Sequence, residues 1–277
     1  MVLWQKRASV EWLAANEALL EKTAAGSLVV ISRPGRPMNI VHVVCDRARS
    51  ARLHRDFGGV AQPLPRTWST NRSSRKSPAP IRIRRRLEVI SEPGPPSGPA
   101  GRPQLIIPAA GAFGTGEHAT TAMSLRLLEA ITRNLPPGWR LLDAGTGSGI
   151  LALAARKLGA TEVLGLDNDP RAVRHARQNA RLNHIARARF IAADLLRWRP
   201  RERYEVVTAN LFSELLIAAL PTFRRALPAK GCLIASGVLR EQSGSVARAL
   251  RRNGFQLEKQ RRRGKWIAFL ALRGKPS

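Results

Sequence analysis

Residues 143–149 read Asp-Ala-Gly-Thr-Gly-Ser-Gly, between a short apolar run, Arg140–Asp143, and a helix-forming stretch that begins at Ile150 and is closed by Gly159. Glycine at every second position allows a tight turn and lets a ligand come up against the backbone, where side chains would stand in its way. The helix behind the turn leaves its first amides without intrahelical partners. A strand, a glycine turn and a helix in that order commit this half of the chain to an α/β fold with a parallel sheet. The spacing also separates two kinds of ligand. Dinucleotide-binding turns run G-x-G-x-x-G. Here Gly145, Gly147 and Gly149 are evenly spaced, and Ile150 stands where the third glycine of that fingerprint falls.

The alternation continues downstream. Strands are expected at Glu162–Asp167, Arg189–Ala192, Val206–Ala209, Cys232–Ser236 and Trp266–Leu272. Helices are expected at Ile150–Leu158, Pro170–Leu182, Glu214–Leu227 and Val246–Asn253. This is the order of a doubly wound, mostly parallel, Rossmann-like sheet. Asp167 ends the strand after the glycine turn, about 20 residues on, where doubly wound folds place an acid that takes ribose hydroxyls. Its two oxygens can accept both. It could instead cap the next helix, but Asp169, directly before Pro170, fits that cap better.

The first 90 or so residues differ in character. Val10–Thr23 reads as an amphipathic helix, with Trp12 and Leu19, and Leu13 and Leu20, each seven apart. Leu28–Ile31 and Ile40–Val44 flank a Pro34-Gly35-Arg36-Pro37 turn and read as a hairpin. Arg47–Phe57 reads as a helix stopped by Gly58-Gly59. Residues 91–103, SEPGPPSGPAGRP, read as a linker. The expected organisation is a small α+β domain over 1–90, the linker over 91–103 and an α/β domain over 104–277. A chain of 277 residues suits that division.

Composition removes several classes. No apolar run approaches the roughly 18–20 residues that cross a bilayer, and no apolar stretch follows the charges of Met1–Arg7 as in a signal peptide. Two cysteines, Cys45 and Cys232, make neither a disulfide framework nor a metal cluster. The expectation is a cytoplasmic protein with reduced thiols, no membrane and no metal. The net charge of +28, from 47 basic and 19 acidic residues, draws polyanions, and RNA or an RNA-containing particle is the natural partner. Arg66–Arg86 carries eight basic residues, no acid and Trp68. It reads either as an RNA-facing edge or as a solvated loop and strand.

The acid followed by a tight G-x-G-x-G resembles the first motif of S-adenosylmethionine methyltransferases, in which an amino-acid moiety lies over the loop. Further segments narrow the resemblance. Phe113-Gly114-Thr115-Gly116-Glu117-His118-Ala119-Thr120-Thr121 precedes a helix that includes Met123–Leu128, and Val206–Leu211 reads VVTANL. With the glycine turn, Gly165–Pro170 (GLDNDP) and Ser236–Leu239 followed by Gln242, they resemble in order the motifs of PrmA-type ribosomal protein methyltransferases, which modify protein eleven of the large subunit. The resemblance spans about Phe113 to Gln242. It implies a seven-stranded methyltransferase sheet behind a substrate-recognition domain, S-adenosyl-L-methionine as cofactor, and methyl transfer to lysine ε-amino or α-amino groups of a ribosomal protein. Thr121, Gly145, Asp167 and Asn210 match the family's cofactor-contacting positions; Phe113, Thr115 and Gly147 match the shell around them. Asn210 is the expected catalytic residue, its carbonyl accepting from the substrate amine. Thr121 either donates to the cofactor carboxylate or caps its helix. Asp194 either contacts the adenine edge or forms a turn. His118 orders its loop rather than acting as a base.

A lysine acceptor must lose a proton first; at pH 7 that costs roughly 4.6 kcal/mol, from about 3.4 units at 1.36 kcal/mol each. Proximity to a sulfonium and partial burial lower the lysine pKa. Two alternatives remain, since fold does not fix substrate. One is methylation of RNA or another protein; amine-type RNA base methyltransferases carry Asn/Asp-Pro-Pro-aromatic, whereas Leu211-Phe212 follows Asn210. The other is a non-catalytic rRNA-binding protein, which predicts a decayed cofactor loop, whereas Gly145, Gly147, Gly149 and Asp167 are intact. After Asn210 the family commonly continues with Ile and a small residue, so Leu211-Phe212-Ser213-Glu214 departs from its pattern beside the acceptor pocket.

Overall fold

A computed structural model describes residues 2–24, 28–31, 38–63, 80–84, 86–92, 102–108 and 119–274. The chain divides into two units, Met1–Lys76 and Ser77–Ser277. In the first, β1 (Val2–Ser9), α1 (Val10–Ala24), β2 (Leu28–Ile31), β3 (Met38–Cys45), α2 (Arg47–Phe57) and β4 (Val60–Pro63) follow one another. The strands form an antiparallel sheet in the order β2-β3-β1-β4. This β-α-β-β-α-β arrangement is ferredoxin-like. Asn39, Val41, Val43 and Cys45 point inward along β3 at the period of two that a half-buried strand requires. Asp46 starts α2 by accepting from the Arg49 amide at 2.7 Å. Trp4 is fully buried beside Leu20, Leu53 and Phe57, and its indole donates to the Gly58 carbonyl at 2.9 Å. The expected hairpin is present, with Leu28 opposite Val43 and Ile31 opposite Ile40; its turn, 32–37, lies outside the described residues. Leu19 faces solvent while Leu20 is buried, so the inward face of α1 is centred away from the Trp12–Leu19 line.

The second unit begins with a small sheet of β5 (Ile81–Ile83), β6 (Leu87–Ile90) and β7 (Gln104–Ile106), in which β6 and β7 run parallel. Ile83, Leu87, Val89 and Leu105 enter the same core as α3 (Ala119–Ile131) and α4 (Ile150–Lys157). The division at Lys76/Ser77 therefore falls ahead of the Pro/Gly stretch, which joins two strands of one unit; its residues 93–101 lie outside those described.

The main sheet comprises β8 (Arg140–Ala144), β9 (Glu162–Asp167), β10 (Ala188–Ala192), β11 (Val206–Asn210), β12 (Cys232–Leu239), β13 (Phe255–Arg263) and β14 (Trp266–Arg273). Its order is β10-β9-β8-β11-β12-β14-β13, parallel from β10 to β12, with β14 antiparallel to both neighbours. Helices α5 (Pro170–Leu182), α6 (Ser213–Ala226) and α7 (Ser243–Arg252) connect its strands. Leu141, Val163, Val206 and Ile234 enter one core, and their neighbours Leu142, Leu164, Val207 and Leu233 enter a second on the other face. Both faces are covered, which is why the strands read as continuous apolar runs. Strand order reverses between β8 and β11, and in such sheets the crevice at the carboxyl ends of those strands takes the ligand.

Candidate active site

The glycine turn leaves β8 at that crevice. The amides of Gly145 and Thr146 both donate to the Leu166 carbonyl at 2.8 Å, which pins the turn onto the end of β9. Gly145 has φ +70°, and a Cβ there would lie 2.4 Å from Leu211 Cδ2. Backbone conformation and space thus both require glycine.

Asp167 closes the other side. Its Oδ2 accepts from the Gly147 amide at 2.9 Å and its Oδ1 from the Asp169 amide at 3.0 Å. These bonds fix the carboxylate at the mouth of the turn and leave a further lone pair on each oxygen for hydroxyl donors. Asp169 is the helix cap, accepting from the Arg171 amide at 2.8 Å. Asp169 thus fills the cap position that the sequence assigned to it, and Asp167 is left outside the helix.

Beneath the turn lies an acid whose role sequence reasoning missed. Asp143 is 1% exposed. Its Oδ1 accepts from the Thr208 hydroxyl at 2.6 Å and its Oδ2 from the Thr146 hydroxyl at 2.7 Å. It thereby ties the turn to β11. Burial pushes its pKa up to about 6, against the pull of the two hydroxyls. The signal available in sequence was the acid directly before the first glycine; its burial needed the sheet.

The other side of the turn is built from α3, β11 and β12. Thr121 is buried at the start of α3, and the Asn210 Nδ2 lies 3.5 Å from its hydroxyl. These two residues are 89 apart in sequence. Ser236 stands opposite Asn210; its hydroxyl donates to the Thr120 carbonyl at 3.3 Å and its carbonyl accepts from the Leu211 amide at 3.0 Å. Gly237, φ +85°, lets the next loop pass, since a Cβ would sit 2.4 Å from the Leu211 carbonyl oxygen. The Gln242 Oε1 accepts from the Ser213 hydroxyl at 2.8 Å and its Nε2 donates to Glu214 at 3.2 Å. Gln242 so holds the start of α6, beside the exposed ring of Phe212.

Asp194 stands apart from this cluster, after β10. Its Oδ1 accepts from the Leu196 amide at 2.9 Å and its Oδ2 lies 3.6 Å from Arg197 Nε, the geometry of a turn-forming Asp. Phe113, Thr115 and His118 lie outside the described residues. Among the described residues no group of three or more His, Cys, Asp and Glu is placed to hold a metal, and no helix is long and apolar enough to cross a membrane.

Residues 65–274 match the family described as ribosomal protein L11 methyltransferase (PrmA). The chain belongs to the ribosomal protein L11 methyltransferase family. A family member from Lacticaseibacillus paracasei is 37% identical over 195 residues, 70% of this chain and 60% of that protein. One from Desulforapulum autotrophicum is 43% identical over 161 residues, 58% of this chain and 52% of that protein. The chain thus spans little more than half the length of these relatives. The crystal structure of the ribosomal protein L11 methylase from Lactobacillus delbrueckii subsp. bulgaricus superposes with a TM-score of 0.64 at 30% identity, covering 71% of this chain and 99% of that one. The family match takes in the glycine turn, Asp167, Thr121 and Asn210, and leaves residues 1–64 ahead of it.

Proposed function

We propose that the chain is an S-adenosylmethionine-dependent methyltransferase acting on lysine ε-amino, and α-amino, groups of ribosomal protein L11. One observation carries the reading: the Asp167 carboxylate and the Thr121–Asn210 pair stand on either side of one glycine turn, at the carboxyl ends of β9 and β11. The donor set fits the cofactor. A carboxylate with lone pairs to spare suits a ribose diol, and a hydroxyl–amide pair suits an amino-acid end. The turn itself carries no side chain at Gly145 or Gly147.

S-adenosylmethionine, when bound, supplies a methyl group already activated on a sulfonium. In this reading Asp167 accepts the two ribose hydroxyls, while Asp194 shapes the turn after β10. Thr121 donates to the carboxylate of the amino-acid end, and Gly145 and Gly147 leave room for it. Phe113 and Thr115 match positions of the family pattern around the cofactor. With its Nδ2 directed at Thr121, Asn210 keeps Oδ1 to accept from the substrate amine, which aims the nitrogen lone pair. Holding acceptor and donor in line is the enzyme's main contribution. Solvent takes the lysine proton.

The ferredoxin-like unit serves as the substrate-recognition domain. The charge of +28 supports docking on the ribosome or on rRNA-bound substrate, and a cytoplasmic location is in keeping with that partner. The test is incubation with methyl-labelled S-adenosylmethionine and either purified L11 or whole ribosomes, followed by mass spectrometry. Label on L11 amino groups is expected. Label in rRNA moves the reading to an RNA methyltransferase; cofactor binding with no label moves it to a binding protein.

A further inference from the structure

Between Asp169 and Asp194 the sequence has six arginines, two histidines and no acid. The fold gathers this stretch on one flank of the catalytic unit. Helix α5 and strand β10 carry it, and among the described residues β10 is an edge of the sheet, paired with β9 alone. Arg174, Arg177 and Arg181 are exposed and succeed one another on α5 at three and four residues, about 5–6 Å apart. Arg189 is exposed on β10, and Arg187 on the turn before it. Between helix and strand runs an open groove of about 450 Å³, with Arg177, Arg181 and Arg189 on its walls. Ala180, Ile185 and Ala188 give the groove an apolar part to its lining. Arg177 donates to the Phe190 carbonyl at 2.6 Å, which covers part of the open edge and fixes one wall. Asn183 holds the turn by accepting from the Ile106 amide and donating to the Ile106 carbonyl, both at 2.7 Å. The flank is crowded with like charge: Arg156 is held below its ordinary pKa, first by burial and then by Arg187, with Glu162 opposing.

We infer that this groove binds the phosphodiester backbone of RNA. A compact anion needs donors that converge on one point. Here guanidinium groups repeat along a channel, which suits a chain that repeats its charge. Arginine's planar fork matches phosphate in two-point geometry, and the apolar part of the lining suits the sugar and base surfaces between phosphates. β10 lies three strand spacings from β11, about 14 Å, so bound RNA would flank the acceptor site without entering it. The inference rests on the reading of an rRNA-bearing partner above and names the surface that meets it.

The test uses the full chain and a fluorescent twelve-nucleotide oligouridylate, with affinity measured by anisotropy across a salt series. One variant combines Arg181→Gln, Arg187→Gln and Arg189→Gln. A charge-matched control combines Arg251→Gln, Arg252→Gln and Arg263→Gln, all exposed and elsewhere on the same unit. Each phosphate contact contributes about 0.7 to the slope of log affinity against log salt for single strands. The groove variant should lose about 2 from that slope and bind about a hundredfold more weakly at 0.1 M salt, while the control changes by a few-fold. Equal losses in both variants overturn the inference in favour of a diffuse field. An equal loss of polyglutamate binding in the groove variant overturns it in favour of an acidic protein surface. Methyl transfer to purified, RNA-free L11 should survive in the groove variant; if it falls as far as RNA affinity does, the groove docks the protein substrate and the inference fails. Wild-type protein that binds no oligouridylate at any salt sinks the RNA-partner reading itself, whereas label on purified L11 would still stand.

Discussion

Asp143→Asn should make the protein relatively more stable as pH rises. Asp143 is buried beneath the glycine turn, with hydroxyls on both oxygens. Burial raises its pKa from 3.8 to about 6. A raised carboxylate pKa means the folded state holds the proton more tightly than the unfolded chain. The favourable contribution is therefore complete below pH 3.8 and is lost as pH rises through about 6. A displacement of about 2 units amounts to about 3 kcal/mol in total, of which about 2 kcal/mol develops between pH 4.5 and 7.5. Asparagine is isosteric and stays neutral. Its amide can still take part with Thr146 and Thr208, because hydroxyls rotate and either donate or accept. Comparing the two proteins removes the titration of every other group. Denaturant unfolding at a series of pH values should show the variant gaining about 2 kcal/mol on wild type between pH 4.5 and 7.5. A difference that stays constant over that range would mean that Asp143 titrates alike in both states, and the argument from burial would be wrong.

Three further outcomes are expected. Gly145→Ala should cost about 2 kcal/mol, since φ is +70° and the new methyl meets Leu211; adding Leu211→Ala should relieve the steric part, so that the double variant is more stable in denaturant than the sum of the singles. Asn210→Ala should lower kcat for methyl transfer about a hundredfold while calorimetry finds cofactor affinity changed by less than about tenfold; an unchanged kcat would remove Asn210 from the acceptor site. Trp4→Ala deletes a fully buried side chain and its 2.9 Å bond to Gly58, and should cost about 3–5 kcal/mol; calorimetric scanning should show the first unit melting early, with the second unit's transition in place.

Much of the second unit could be read directly from residue order. Strand, glycine turn and helix followed from local chemistry at Asp143–Gly149, and Pro170 identified Asp169 rather than Asp167 as the cap. Such features act within a few residues, so the sequence states them openly. Strand β1 was not read, because Val2–Ser9 alternates poorly and gains its burial only between β3 and β4. Strand β13 was not read either: its residues after Leu257 are charged or polar, as suits a sheet edge, and its pairing with β14 supplies what apolar periodicity did not. The same holds at the site. Thr121 and Asn210 were each legible as motif members, but their approach to 3.5 Å depends on α3 crossing the ends of β11 and β12. Asp143 is the sharpest case. Its identity is local, while its burial and raised pKa come from strands packed on either side of β8. By itself, then, the sequence determined the order of elements and the chemistry of the turn. Which strands became neighbours, which polar groups lost water, and how the arginines of α5 and β10 came to lie along one flank were decided by tertiary packing, because those depend on contacts between residues far apart in the chain.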